Sequence, residues 1–208
     1  MPKKNIIKVY GIDQYYHVYN RGSNRQDIFI EPIDYFYFLG LLKRHLSAKK
    51  DKNTQGNRLY SNYNDEVELV VFCLMPNHFH LLFYLKDEAG IVHLMRAVMT
   101  AYTMYFNKKY KRSGKLCESA FLASLINNES YLWHVSRYIH LNPTDINQNF
   151  RTYKYSSIAY FIDNKRTDWL HSERMIKTPD EKQEYLEFVA DYETMHADMK
   201  YLKNLLAA

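Results

Sequence analysis

His78-Phe79-His80 sets two imidazoles at the start of a β-prone run. In a strand, alternation sends both rings to one face and Phe79 to the other. Their Cα atoms then stand about 7 Å apart, close enough for two nitrogen ligands to converge on one divalent ion. Two imidazoles leave coordination positions open, as a catalytic ion needs for substrate oxygens. The same spacing also describes two half-buried histidines partnered by the polar groups of a turn. A histidine pair inside an otherwise apolar sheet nevertheless needs a reason. A second constellation lies downstream. On a helix from about Asn128 to Asn142, Tyr138 and Asn142 are i and i+4 and share a face, with His134 one turn earlier. That face offers a phenol beside an amide oxygen that could complete a His/His/Asn metal site. A tyrosine hydroxyl titrates at about 10, so it needs proton removal or a cation to attack phosphorus at neutral pH. By residue type alone Tyr138 is one of 20 tyrosines, and nothing in the spacing selects it.

The elements that must position these groups follow from periodicity. Gln14 to Arg21 alternates Tyr15, His17 and Tyr19 against Tyr16, Val18 and Asn20, a strand that Gly22-Ser23-Asn24 breaks. Pro32 suits a first helical turn, and the run to about Lys50 carries Tyr35, Phe38, Leu39, Leu42 and Leu46 at helical spacing. Residues 51–66 are polar and turn-rich, a flexible loop. Val67 to Met75 and His78 to Leu85 flank Pro76-Asn77 as an antiparallel hairpin, and near-continuous apolarity places both strands mid-sheet. Ile91 to about Tyr110 is an amphipathic helix, and Leu116 to Ile126 reads as a strand. Asn128 caps a helix that must stop before Pro143. The order β-α-β-β-α-β followed by a helix predicts an α+β fold, a ferredoxin-like antiparallel sheet with helices on one face. Thr178-Pro179-Asp180-Glu181 then opens a long helix with Tyr185, Phe188, Val189, Tyr192, Met195, Met199, Leu202 and Leu206 on one stripe.

Composition bounds the function classes. The 208 residues suit one domain, or one domain plus an appendage, and suffice for a core. The longest apolar run, Leu69 to Met75, is far below the roughly 20 residues of a membrane span. No apolar segment follows the basic start Met1-Pro2-Lys3-Lys4, so no secretory signal is expected. Cys73 and Cys117 cannot make a disulfide framework or a four-thiolate zinc site. The expectation is a soluble, cytoplasmic protein, monomeric or homodimeric. Residues 1–167 carry 23 Lys/Arg against 14 Asp/Glu, and residues 168–208 carry 5 against 9. A basic body rich in aromatic rings suits a polyanion, and stacking rings suit an unpaired nucleic-acid strand.

Leu74-Met75-Pro76-Asn77-His78-Phe79-His80-Leu81-Leu82 resembles the histidine–hydrophobic–histidine signature of single-tyrosine transposases, closest to the REP-associated tyrosine transposases. Two further segments agree in order and spacing. His17 to Phe29 (HVYNRGSNRQDIF) is similar to the family's N-terminal strand and loop, and Arg137 to Pro143 (RYIHLNP) to its nucleophile helix. The likeness covers about residues 10–160. It departs at Leu116 to Phe121, where the acid Glu118 remains but the family's glycine and arginine are replaced.

The resemblance implies Tyr138 as nucleophile, His78 and His80 as ligands of Mg²⁺ or Mn²⁺, and Asn142 as third ligand. His134 and His140 stay alternatives for ligation or proton transfer. It implies a strand transferase that cuts and rejoins single-stranded or hairpin DNA through a 5′-phosphotyrosine. The rivals are a non-catalytic single-strand binder and a relaxase-type nickase. Asn20, Arg21, Asn24 and Arg25 could read bases and hold phosphates, or simply form a solvated loop. Lys108, Lys109, Lys111, Arg112 and Lys115 surround Tyr110 and suit a backbone track, though a basic helix end also satisfies the macrodipole. Residues 1–160 would form the transposase domain and 161–208 a linker and acidic helical extension.

Overall fold

A computed structural model describes residues 10–48, 60–163 and 165–206, with side chains as far as Tyr192. Residues 51–59 of the expected loop, and the side chains of Met195, Met199, Leu202 and Leu206, lie outside the described residues. The elements run β1 (Gln14–Arg21), α1 (Pro32–Leu46), β2 (Val67–Met75), β3 (His78–Leu85), α2 (Gly90–Lys109), β4 (Leu122–Ile126), α3 (Glu129–Leu141), α4 (Ile158–Ile162) and α5 (Pro179–Leu206). The strands pair antiparallel in the order β2-β3-β1-β4, the ferredoxin-like arrangement.

The sheet is covered on both faces. Phe38 and Leu42 of α1 and Leu94, Val98 and Tyr102 of α2 pack on Val18, Phe79, Leu81 and Phe83. On the opposite face, Leu132, Val135 and Ile139 of α3 meet Val71, Cys73, Met75 and Leu82, and Phe161, Tyr185 and Val189 close this second core from α4 and α5. Burying each of these large side chains is worth about 1.5–3 kcal/mol, so α3 is held firmly against the histidine-bearing face. The first turns of the acidic terminal helix thus pack within the chain. No helix among the described residues is long and apolar enough to cross a membrane.

Local signals set the helix ends. Asn128 Oδ1 accepts from Tyr131 N at 2.7 Å, and α3 ends at Leu141, followed by a 3-10 turn over Asn142–Ile146. At α5, Thr178 Oγ1 accepts from Glu181 N while Glu181 Oε2 accepts from Thr178 N, a reciprocal cap.

One strand position and two boundaries differ from expectation. β3 is mid-sheet, but β2 is an edge strand. Its apolarity is explained by cover: Leu74 N donates to Tyr155 O, Ser157 N to Phe72 O and His171 N to Leu69 O, so the following chain shields the edge. A register shift between Leu69 and Val71 turns Val70 and Val71 toward the second core. β4 begins at Leu122, not Leu116: residues 116–118 still pair with 21–23, but at 119–120 the carbonyls go to Asn20 Nδ2 at 2.9 Å each and the regular ladder is interrupted. α1 ends at Leu46, where Ser47 turns extended (φ −66°, ψ 144°).

Candidate active site

On the face turned toward α3, β3 presents His78 and His80, while β1 presents His17, Tyr19 and Arg21 by the same alternation. The register puts Tyr19 opposite His80 and Arg21 opposite His78. Three imidazoles therefore gather where the sequence pattern had marked two. His78 and His80 stand edge to face with ring centroids 5.0 Å apart, and His17 meets His80 edge to edge at the same centroid distance, Nε2 to Nδ1 at 2.8 Å.

The orientation of each ring is legible from its neighbours. Asn77 Nδ2 donates to Arg25 O, so its oxygen is the atom facing His78 Nδ1 at 2.6 Å, and as the nearer of the two oxygens that face this ring it takes the single proton of the neutral imidazole on Nδ1. That leaves a lone pair on His78 Nε2. It points at Asn142 Oδ1, 3.1 Å away, whose own orientation is fixed because Nδ2 donates to Tyr138 O at 2.8 Å. Burial holds His78 below the ordinary histidine value, outweighing the hydrogen bond to Asn142, so at neutral pH two acceptors face each other with no proton between them. A cation satisfies such a pair. His80 is 6% exposed, and its Nε2 is buried without a hydrogen-bond partner. Burial, then the neighbouring imidazoles and Arg21, hold it neutral. His78 Nε2 and Asn142 Oδ1, with His80 Nε2 two residues along the same strand face, are donor types that suit a hard or borderline divalent ion, and three such donors would leave positions for substrate oxygens.

Tyr138 lies over this cluster from α3. Its ring is edge-on to His80 at 5.2 Å and to His17 at 6.3 Å, yet it is 52% exposed. Ile139 on one side and Val135 one turn earlier are buried, so the helix is anchored while its tyrosine edge remains open to a ligand. Partial burial raises the Tyr138 phenol above its ordinary value of 10.0, with Asn142 pulling weakly the other way. The hydroxyl is thus protonated at neutral pH.

The two alternative histidines go elsewhere. His134 pairs with Arg137 Nη2 at 2.8 Å and faces Phe188 of α5. His140 is fully buried between Tyr185 Oη at 2.6 Å and Ser157 Oγ at 2.8 Å. Both hold α3 to its neighbours.

The sequence-predicted DNA contacts divide in the same way. Arg21, Asn24 and Arg25 are exposed. Asn24 and Arg25 adopt left-handed backbone (φ 55° and 61°) in a turn that packs tightly: a Cβ on Gly22 would lie 2.1 Å from Gln26 O. Asn20 is buried, with its carboxamide engaged by Ser119, Ala120 and Arg21 N, so it shapes this loop from beneath. Lys108 and Lys111 are exposed. Lys109 Nζ instead reaches Asp34 Oδ1 at 2.7 Å and Glu31 Oε2 at 3.0 Å, and the Arg112 guanidinium lies 5.5 Å from the Phe106 ring centroid. Alternation alone could have put His17 on the face turned toward α3, but only the β1–β3 register shows that it meets His80.

A family model described as "Transposase IS200 like" matches residues 12–142, from the strand bearing His17 to Asn142. The chain belongs to this family. Membership places it among DNA-binding, DNA-cleaving transposases. Its fold matches the solved structure of a REP-associated tyrosine transposase bound to a REP hairpin, with TM-score 0.56 and 13% identity over 80% of this chain and 91% of that one. A transposase candidate from Deinococcus radiodurans is similar at TM-score 0.40 and 17% identity, over 67% and 95% of the two chains. No curated protein matches the chain. The IS200-like match ends at the turn that carries Asn142, so α4 and α5 lie beyond it.

Proposed function

We propose that this IS200-like transposase cleaves and rejoins single-stranded, hairpin-bearing DNA, with Tyr138 as nucleophile. The observation that carries the reading is the open Tyr138 ring standing edge-on to His80, beside the facing His78 Nε2 and Asn142 Oδ1 and the unpartnered His80 Nε2. Tyr138 Oη forms a bond to phosphorus as the P–O3′ bond breaks, and the phenolic proton ends on the leaving 3′-oxygen. The products are a 5′-phosphotyrosine and a free 3′-hydroxyl, which can attack the same phosphorus to reseal a strand. His78, His80 and Asn142 would hold Mg²⁺ or Mn²⁺, which supplies charge neutralisation at the phosphate oxygens. The sheet and α3 set the angle between tyrosine and ligands before substrate arrives, so little reorganisation is left for the chemical step.

Arg21, Asn24, Arg25, Lys108 and Lys111 would contact the DNA, with Asn20 and Arg112 shaping the segments that carry them. The hairpin bound by the structural neighbour supports hairpin DNA as the substrate class. Residues 1–160 would be the catalytic domain and 161–208 an extension whose helix braces α3, and the protein would work in the cytoplasm.

The test mixes the protein with end-labelled hairpin DNA and Mn²⁺ and looks for a denaturant-resistant adduct. Wild type is expected to form it and Tyr138→Phe to lose it with folding intact. An undiminished adduct in Tyr138→Phe removes the nucleophile, and tight hairpin binding with no adduct in wild type favours a non-catalytic binder.

A further inference from the structure

We infer that His17 is a positioning residue that fixes the proton of His80 on Nδ1 and so delivers the His80 Nε2 lone pair to the metal site. The inference rests on the His78/His80/Asn142 reading above and adds a residue to it. The geometry is specific. His17 Nε2 and His80 Nδ1 lie 2.8 Å apart, within hydrogen-bond distance. One proton fits between them. A neutral imidazole has one donor and one acceptor nitrogen, so the placement of that proton decides what His80 Nε2 is. With the proton on His17, His80 Nε2 becomes a buried N–H that repels a cation. With the proton on His80 Nδ1, Nε2 is a bare lone pair, and it is the buried ring nitrogen that has no protein partner.

The other ligand histidine has the corresponding device, since the Asn77 oxygen holds the His78 proton on Nδ1 at 2.6 Å. Each ligand ring thus has an acceptor behind it, and the two outer acceptors come from different places, the hairpin turn and β1. Metal-bound histidines characteristically pass their second N–H to such an acceptor, which fixes ring and tautomer. The His17 and His80 rings lie edge to edge and nearly coplanar (interplanar angle 27°), as an in-line hydrogen bond between them requires, and the Tyr19 ring lies beside His17 at 5.0 Å, so the His17 ring cannot swing away without losing both contacts. An imidazole serving as the acceptor must itself carry its proton on Nδ1, which defines the tautomer of both rings at once.

The experiment measures Mn²⁺ binding to the full chain without DNA, by calorimetry and by loss of the free-ion EPR signal. His17→Leu, which cannot accept, is expected to weaken binding by about 10- to 100-fold. His17→Gln, whose amide oxygen can accept from His80 Nδ1, is expected to stay within about threefold of wild type, a rescue that mere packing would not produce. Unaltered affinity in a folded His17→Leu, or equal loss in both variants, overturns the proposal. His78→Ala separates the two levels: if it abolishes binding while His17→Leu does not alter it, only the role of His17 falls. If wild type binds no Mn²⁺, the metal reading falls with it. Should His17→Leu not fold, long-range ¹H–¹⁵N spectra of the Mg²⁺-saturated wild type decide. Protonated Nδ1 on both rings supports the proposal, and a proton on His80 Nε2 refutes it.

Discussion

Asp34 is the buried charge that ties α1 to α2, and replacing it by asparagine gives a sharp test of how the basic segment is held. Its carboxylate accepts five hydrogen bonds: Ile30 N, Glu31 N and Tyr110 Oη on Oδ2, and Lys109 Nζ and Tyr105 Oη on Oδ1, all within 3.0 Å. Burial alone pushes the carboxyl up, but these donors together bring it down from 3.8 to about 2. A tenfold change in proton affinity is worth about 1.4 kcal/mol, so the charged form contributes about 2.5 kcal/mol. In Asp34→Asn an amide NH₂ replaces one oxygen and faces donors, and each buried bond lost adds about 1 kcal/mol. The expected loss at pH 7 is about 3–5 kcal/mol, or about 10 °C in Tm for a chain of this size. The sign follows from the lowered folded value: as pH falls, the unfolded chain takes up the proton first. The contribution is therefore complete above about pH 4 and is lost as pH falls from about 4 to about 2. Urea unfolding of both proteins at pH 7, 4 and 2.5 should show the gap between them closing at the acid end. A gap below 1 kcal/mol at pH 7, or one that stays constant to pH 2.5, would refute the reasoning.

The lysines on either side of this cluster should separate stability from binding. Lys109→Met removes the ion pair to a fully buried carboxylate and is expected to cost about 1–3 kcal/mol in urea unfolding with hairpin affinity little changed. Lys108→Ala with Lys111→Ala is expected to leave stability within about 0.5 kcal/mol and to lower the salt dependence of single-strand binding by about 1.4 in log–log slope. Equal slopes for the double variant and wild type would take these two lysines off the DNA. His140→Leu removes one buried partner each from Tyr185 Oη and Ser157 Oγ, which keeps its bonds to Phe72, and should destabilise by about 1–3 kcal/mol. Adduct formation below its melting range should persist, and a stable His140→Leu that forms no adduct would return His140 to the chemistry.

How much of this was legible in the sequence depends on whether the deciding contact is local. Alternation in β3 is local, and it put His78 and His80 on one face. Helical spacing is local too, and it put Tyr138 and Asn142 on one edge of α3, where Asn142 Nδ2 reaches the Tyr138 carbonyl. Roles that depend on pairing between distant segments did not follow from pattern. Lys109 looks like any other cation of a basic helix end until α1 brings Asp34, 75 residues away, against it. Asn20 looks like a base-reading amide until residues 119 and 120 fold across it, and the same contact shortens β4. The β2 run reads as a central strand because burial of both faces, not position in the sheet, governs apolarity, and the chain at 155–157 buries the edge. His17 is the most telling instance. Its parity within β1 is fixed by sequence, but its meaning comes from a register that sets Tyr19 against His80 and so brings His17 diagonally onto that ring. A one-residue slip of β1 would turn His17 into the core beneath α1 and α2 and remove it from His80. If His17 sets the His80 proton as proposed, that tautomer is governed by strand register, which the buried residues Tyr16 and Val18 on the other face enforce.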